Sequence, residues 1–310
     1  MNSLQILLLQ KTQNNRIKPT KILIENINKK RKQSVDVIAY LKIAKEKFPK
    51  TQIPDKKDLR NMKTLCNKII KECKKRRIAI IDIFSKKYPK KLYALDNPPI
   101  LIFAKGNMRS LVSNRIVAII GTRHPSEYGF KVARKIAQYC TRKGFVVISG
   151  LALGCDTQGH LGCLDENGQT IAVLPTQIEN ISPKANQGLA DNIVAKKGCL
   201  ISEYDSSIKL GKWTFVHRDR LIAALADAII VIETSEKGGT MHTVDCAVRL
   251  RRPIACVYGF PKSGHNNDPE GNVKLIQNKI AVGIKDRREL ESYLSSITRI
   301  TRACQKNSGE

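Results

Sequence analysis

Three glycine-bearing turns carry the residue types that hold phosphate. Gly121-Thr122-Arg123 follows the apolar run Ile116–Ile120, and Ser149-Gly150-Leu151-Ala152-Leu153-Gly154 follows Phe145–Ile148. The third, Glu233-Thr234-Ser235-Glu236-Lys237-Gly238-Gly239-Thr240, follows Ala228–Ile232. Glycine lets backbone N–H groups approach an anion closely, and a helix opening after the turn adds partial positive charge. Taken singly, each is the ordinary glycine of a tight strand-to-helix connection. Together on one sheet edge, with Arg123 beside one turn and Lys237 beside another, they would form a phosphate-binding crevice. No G-x-x-x-x-G-K-[ST] string is present, and no G-x-G-x-x-G follows the first run, so a P-loop NTPase or a dinucleotide enzyme has no support.

A fourth segment, Phe215-Val216-His217-Arg218-Asp219-Arg220-Leu221-Ile222-Ala223, holds two arginines two residues apart. Within a helix they could not share a face. At a loop-to-helix junction they would flank a phosphate path, with Asp219 holding one guanidinium. The plainer reading is that both solvate a helix start. Catalytic constellations are thin. Ser149 is not in a G-x-S-x-G elbow. Asp156 and His160 stand four apart, a spacing that suits a hydrogen bond at a helix N-terminus better than an acid–base dyad. The nine cysteines include no C-x-x-C pair, and several sit in apolar strings such as Ile254-Ala255-Cys256-Val257. They read as small hydrophobes with free thiols in a reducing cytoplasm, with no metal site.

These turns need a scaffold, and the remaining pattern supplies one. Ile116–Ile120, Phe145–Ile148, Thr170–Leu174, Cys199–Ser202, Ala228–Ile232 and Pro253–Tyr258 are short apolar runs. Between them lie helical stretches at Glu127–Arg142, Thr157–Asn167, Lys184–Lys197, Phe215–Ala226 and Thr240–Leu250. That alternation predicts an α/β protein with a doubly wound, mostly parallel sheet covered on both faces, whose ligands bind at the carboxyl ends of the strands. Ile78–Ile81 and Ile100–Phe103 read as further short β-like runs, separated by Asp96-Asn97-Pro98-Pro99, which cannot be helix. Residues 1–75 contain no glycine. Apolar positions at Leu4–Leu9, Ile22–Ile27, Val35–Ile43 and Leu59–Ile70 predict short amphipathic helices. The expected division is a basic helical N-terminal domain over 1–77, a Rossmann-like domain over 78–295 and a mobile tail over 296–310.

Charge sets the class of partner. The 310 residues carry a formal +28. Residues 1–80 hold 22 Lys/Arg against 6 Asp/Glu, a net +16. Such a field attracts polyanions, of which nucleic acid is the commonest in a cell. No apolar run reaches the ~18–20 residues that span a bilayer, and no secretory signal is legible, so a cytoplasmic protein with no membrane partner is expected.

The ordered motifs resemble the DprA/Smf (DNA-processing protein A) family. The shared string runs from Tyr88-Pro89 and Pro98-Pro99-Ile100-Leu101 through Lys105-Gly106-Asn107, Gly121-Thr122-Arg123, Tyr128-Gly129 and Ser149-Gly150-Leu151-Ala152-Leu153-Gly154-Cys155-Asp156 to His160. It continues in Ile201-Ser202-Glu203-Tyr204, Phe215…Arg218-Asp219-Arg220 and Lys237-Gly238-Gly239-Thr240. The resemblance covers about residues 78–280. It implies an extended Rossmann-like domain that binds single-stranded DNA, protects it and helps load the RecA recombinase, in recombination or natural transformation. It further implies a homodimer pairing through the C-terminal part of that domain, no enzymatic activity and no cofactor. Carried over residue by residue, the implied DNA-binding set is Gly121, Thr122, Arg123, Ser149, Gly150, Arg218, Arg220, Lys237, Gly238, Gly239 and Thr240.

Two departures stand out. Asp219 occupies the place of the family's usual Asn, adding negative charge near the phosphate path. Pro175-Thr176-Gln177 replaces a Gly-Lys/Thr-Gly turn, so a pocket lysine is missing, although Lys184 is close in sequence. The competing reading is a nucleotide-binding or nucleotide phosphoribohydrolase enzyme of the Lonely-guy type on the same sheet. Against it, Thr243 stands where that motif has its catalytic Glu, and no proline precedes Gly238. Aromatic residues able to stack on bases are few: Tyr128, Tyr204, Trp213 and Tyr258.

Overall fold

The computed structural model describes residues 3–12, 41–42, 45–46, 53–260 and 269–306. The expected helices at Ile22–Ile27 and Val35–Ile43 lie outside these residues, apart from 41–42.

Among the described residues nine strands form one sheet: β1 (Ala79–Asp82), β2 (Leu101–Gly106), β3 (Ile116–Ile120), β4 (Val146–Ser149), β5 (Thr170–Leu174), β6 (Cys199–Ser202), β7 (Ala228–Val231), β8 (Ile254–Val257) and β9 (Val282–Ile284). Their order is β1-β2-β6-β5-β4-β3-β7-β8-β9. From β6 to β9 every pair is parallel, whereas β1 and β2 run antiparallel along one edge, with Phe103 opposite Ser202. The parallel strands are apolar throughout because helices cover both faces. In β3, Val117 and Ile119 face one core while Ala118 and Ile120 face the other. The ninth strand was not expected from sequence.

Among the described residues eight regular α-helices accompany the sheet from residue 56 on: α2 (Lys56–Lys75), α3 (Glu127–Arg142), α4 (Cys155–Asp165), α5 (Gln187–Ala195), α6 (Lys212–Leu225), α7 (Thr240–Arg249), α8 (Glu270–Gln277) and α9 (Arg287–Lys306); α1 (Ser3–Thr12) precedes them. One core is built from α3 and α9, through Ala133, Ile136, Leu290 and Ile297, on the sheet. The other holds α6 and α7, through Leu221, Leu225 and Val244, and extends without a break to Ile6 and Leu7 of α1 and Cys66 and Ile69 of α2. The N-terminal helices therefore share a core with the sheet, and Lys11 reaches the buried Asp205 at 2.7 Å. The expected boundary at 295/296 falls inside α9, with Ile297 buried in the core of α3 and α9, so no break in the chain marks a tail there.

Strand order reverses at β3. From it, β4, β5 and β6 step one way and β7, β8 and β9 the other. The connections leaving β3 and β7 consequently part to opposite sides, and a crevice opens between them at the carboxyl ends of the strands.

Candidate nucleic-acid interface

The crevice at this switch point has a volume of about 460 Å³. Gly121, Thr122, Arg123 and His124 form one wall, and Thr234, Ser235, Gly238, Gly239 and Thr240 form the opposite one. The α6 residues Phe215, Val216, Arg218, Asp219 and Ile222 make up the side. A smaller cleft of about 140 Å³ opens off it past Arg123, Ala152, Phe215 and Arg218 towards Gly150, Leu153, Pro175, Ser182 and Pro183.

Each wall has a local cause. Thr122 N–H donates to the Glu233 carbonyl at 2.7 Å, tying the β3 turn to the β7 turn. The Glu233 carboxylate accepts from Ser126 N–H and Oγ, which fixes the entry to α3. Gly121 is required because a Cβ there would lie 2.5 Å from Cys155 Sγ. No side chain caps α7. Met241 and His242 N–H already donate to the Gly238 and Gly239 carbonyls, so the helix dipole is what suits an anion at Gly238-Gly239-Thr240.

Arg123 lines the mouth of both cavities and is exposed, its guanidinium 5.6 Å from the Phe215 ring centroid. Arg218 has a different role. It is buried, with Nε donating to Asp219 at 2.9 Å and Nη1 donating to the Gly150 and Val173 carbonyls at 2.5 Å each. It closes the crevice floor and ties α6 to β4 and β5. Gly150 has to be glycine, since a Cβ would come 2.1 Å from Arg218 Nη1. Burial raises the Asp219 carboxyl above its ordinary value, and Arg218 opposes that shift.

The remaining expected residues fall elsewhere. Arg220 points away from the crevice, its Nη2 bonded to both Glu203 carboxylate oxygens and its Nε donating to His217. The pair does not flank a phosphate path because α6 begins at Lys212, not at Phe215, so both arginines lie within the helix and their directions differ by about 200°. Ser149 is fully buried under the site and donates to the Ile119 carbonyl. Lys237 is exposed on the third turn and does not line the crevice. Thus Gly121, Thr122, Arg123, Arg218, Gly238, Gly239 and Thr240 converge, Gly150 joins through the side cleft, and Ser149, Arg220 and Lys237 do not.

Three lining residues escaped the sequence reading: His124, His242 and Asp156 as crevice residues. His124 directly follows Gly121-Thr122-Arg123, which was the available signal. His242 is one position beyond Met241 in the first turn of α7, where helix geometry could have placed it. Asp156 accepts the Gly150 and Ala152 N–H groups, and burial raises it to about 6. His160 turns away to Thr170 Oγ1 at 2.7 Å, and burial lowers it to about 3. They form no dyad.

The sheet order and the crevice at its reversal define the class: a doubly wound, Rossmann-like α/β protein. A family model described as DNA recombination-mediator protein A matches residues 79–295, and the chain belongs to that family. It is 37% identical over 200 residues to DNA processing protein DprA of Bacillus subtilis, covering 64% of this chain and 66% of that one. It is 30% identical over 198 residues to Protein Smf of Escherichia coli, covering 64% and 52%. The chain thus spans between half and two thirds of these relatives' lengths. The X-ray structure of DprA from Streptococcus pneumoniae has the same fold, with a TM-score of 0.76 at 24% identity over 94% of this chain and 98% of that one. A Helicobacter pylori DNA processing protein A structure, described for its single-stranded DNA binding mode, superposes with a TM-score of 0.61 at 26% identity over 72% and 96%. No helix among the described residues is long and apolar enough to cross a membrane.

Proposed function

We propose that the crevice binds single-stranded DNA by its backbone and that this cytoplasmic protein acts on such strands as a recombination mediator, protecting them and helping to load a RecA-type recombinase. The observation that carries the reading is the convergence, at the switch point, of the exposed Arg123, the uncapped α7 N-terminus and the glycine turns. The H. pylori relative's described DNA binding and the formal +28 point the same way. Binding, not hydrolysis, suits the carboxylates: Asp156 holds two backbone N–H groups and Asp219 holds Arg218, while Thr243 stands where a hydrolase would carry Glu. A homodimer through the C-terminal part is supported by β9, an edge strand with Val282 exposed next to the exposed Ile280.

Fluorescence anisotropy with a labelled oligothymidylate, the matching duplex and free mononucleotides as competitors tests the reading. Preference for the single strand is expected, and preference for a mononucleotide would shift the function to nucleotide binding. Arg123→Ala should weaken DNA binding with an unchanged melting temperature. A collapse of stability would make Arg123 structural.

A further inference from the structure

Of the four aromatic residues named above as stacking candidates, three are committed elsewhere. Tyr204 is buried, Tyr128 packs edge-on against Phe260 at 4.8 Å, and Tyr258 donates to Glu289. Trp213 is the exception, 53% exposed at the start of α6.

An exposed indole usually carries a cost in rotamer freedom when it binds something. Here that freedom is already restricted. Tyr204 meets the Trp213 ring edge-to-face, with centroids 5.7 Å apart and planes at 88°. His217 meets it at 6.0 Å and 61°. The His217 position is fixed in turn: Nε2 accepts from Arg220, so the ring proton sits on Nδ1, 3.0 Å from Tyr204 Oη. Gly211 leaves room for the indole edge, since a Cβ there would lie 3.0 Å from Trp213 Cδ1. Arg220 and Glu203, which take no part in the crevice, thus buttress this aromatic cluster.

Trp213 lies on the α6 face of His217 and Arg220, beside the crevice and not in it. Val216 lines the crevice, is 46% exposed, and follows Trp213 by three residues, one turn along the same helix face. Lys209 and Lys212 are exposed just before the indole. A strand leaving the crevice over Val216 would meet a cationic approach and then a flat, held aromatic ring. Every base has a π-face, so stacking there is sequence-tolerant.

We propose that Trp213 is a stacking platform for an unpaired base just outside the crevice, so that the site holds single strands by a base as well as by phosphates. The proposal rests on the single-strand reading above, and the test separates the two. Trp213 is the sole tryptophan of the chain. Its fluorescence should be quenched by oligothymidylate with the same midpoint as the anisotropy change. An abasic oligomer of equal length should bind more weakly and leave the tryptophan signal almost unchanged. Trp213→Ala should weaken oligothymidylate binding about tenfold and abasic binding little, and Trp213→Tyr should restore most of the loss. DNA binding by anisotropy with no change in tryptophan emission overturns the platform and leaves the single-strand reading standing. An equal loss on the abasic oligomer also overturns it, by showing a general effect on the site. No binding of either oligomer removes both readings.

Discussion

Asp219 puts a carboxyl group into the lining of the crevice that the proposal gives to phosphate. Its carboxylate accepts from Arg218 Nε, lines the crevice, and lies near the positive Arg123. An ionised Asp219 cancels part of the field that Arg123 presents at the mouth. Asp219→Asn keeps an oxygen for Arg218 Nε and removes the charge. The expected outcome is tighter single-strand binding, by a few-fold at low salt and less as the Debye length shrinks to ~10 Å at ~0.1 M. Paired affinity and melting measurements decide the point. A variant with unchanged or looser binding would make Asp219 a buttress for Arg218 that DNA never senses.

At the level of elements, α4 carries two buried ionisable groups that oppose each other. Burial raises Asp156 from 3.8 to about 6, so the folded state binds that proton more tightly and gains stability as pH falls from about 6 to 3.8. Burial lowers His160 from 6.5 to about 3, so stability is lost as pH falls below 6.5. Between about pH 6 and pH 4 the two slopes, each ~1.4 kcal/mol per pH unit, offset one another. Asp156→Asn should remove one slope, so its stability relative to the parent falls as pH drops across that window. Urea unfolding at three pH values measures it, and parallel curves for parent and variant would show that Asp156 does not titrate there. The elements themselves were largely legible, because strands buried on both faces are apolar runs and the glycine turns end them. Val282-Gly283-Ile284 was not legible, since three residues with an exposed valine and a glycine carry no strand pattern. The helix α9 was not expected at all, because its charged start hides the helical period of Leu290, Leu294 and Ile297. The misplacement of Arg220 came from starting α6 three residues late. Sequence spacing fixes the angle between Arg218 and Arg220 but not which of them faces the crevice.

The whole molecule determines which of its charges DNA can feel. α2 holds seven lysines and one arginine and packs beside β1. β1 lies five strand steps from β3, about 24 Å at ~4.8 Å per step. That is well beyond the ~8 Å screening length near 0.15 M salt, whereas Arg123 stands at the crevice mouth itself. On the proposed reading, the α2 charge therefore steers encounter at low ionic strength but contributes little to a short strand already held in the crevice. For a short oligothymidylate, log K should fall with log salt by ~0.7 for each phosphate neutralised, and Arg123→Ala should reduce that slope by about one such unit. Replacing Lys63, Lys68 and Lys71 of α2 with Gln should leave both affinity and slope unchanged at about 0.15 M while slowing association at low salt. If the α2 variant instead loses slope as Arg123→Ala does, the strand runs across the N-terminal helices and the crevice is not its principal seat.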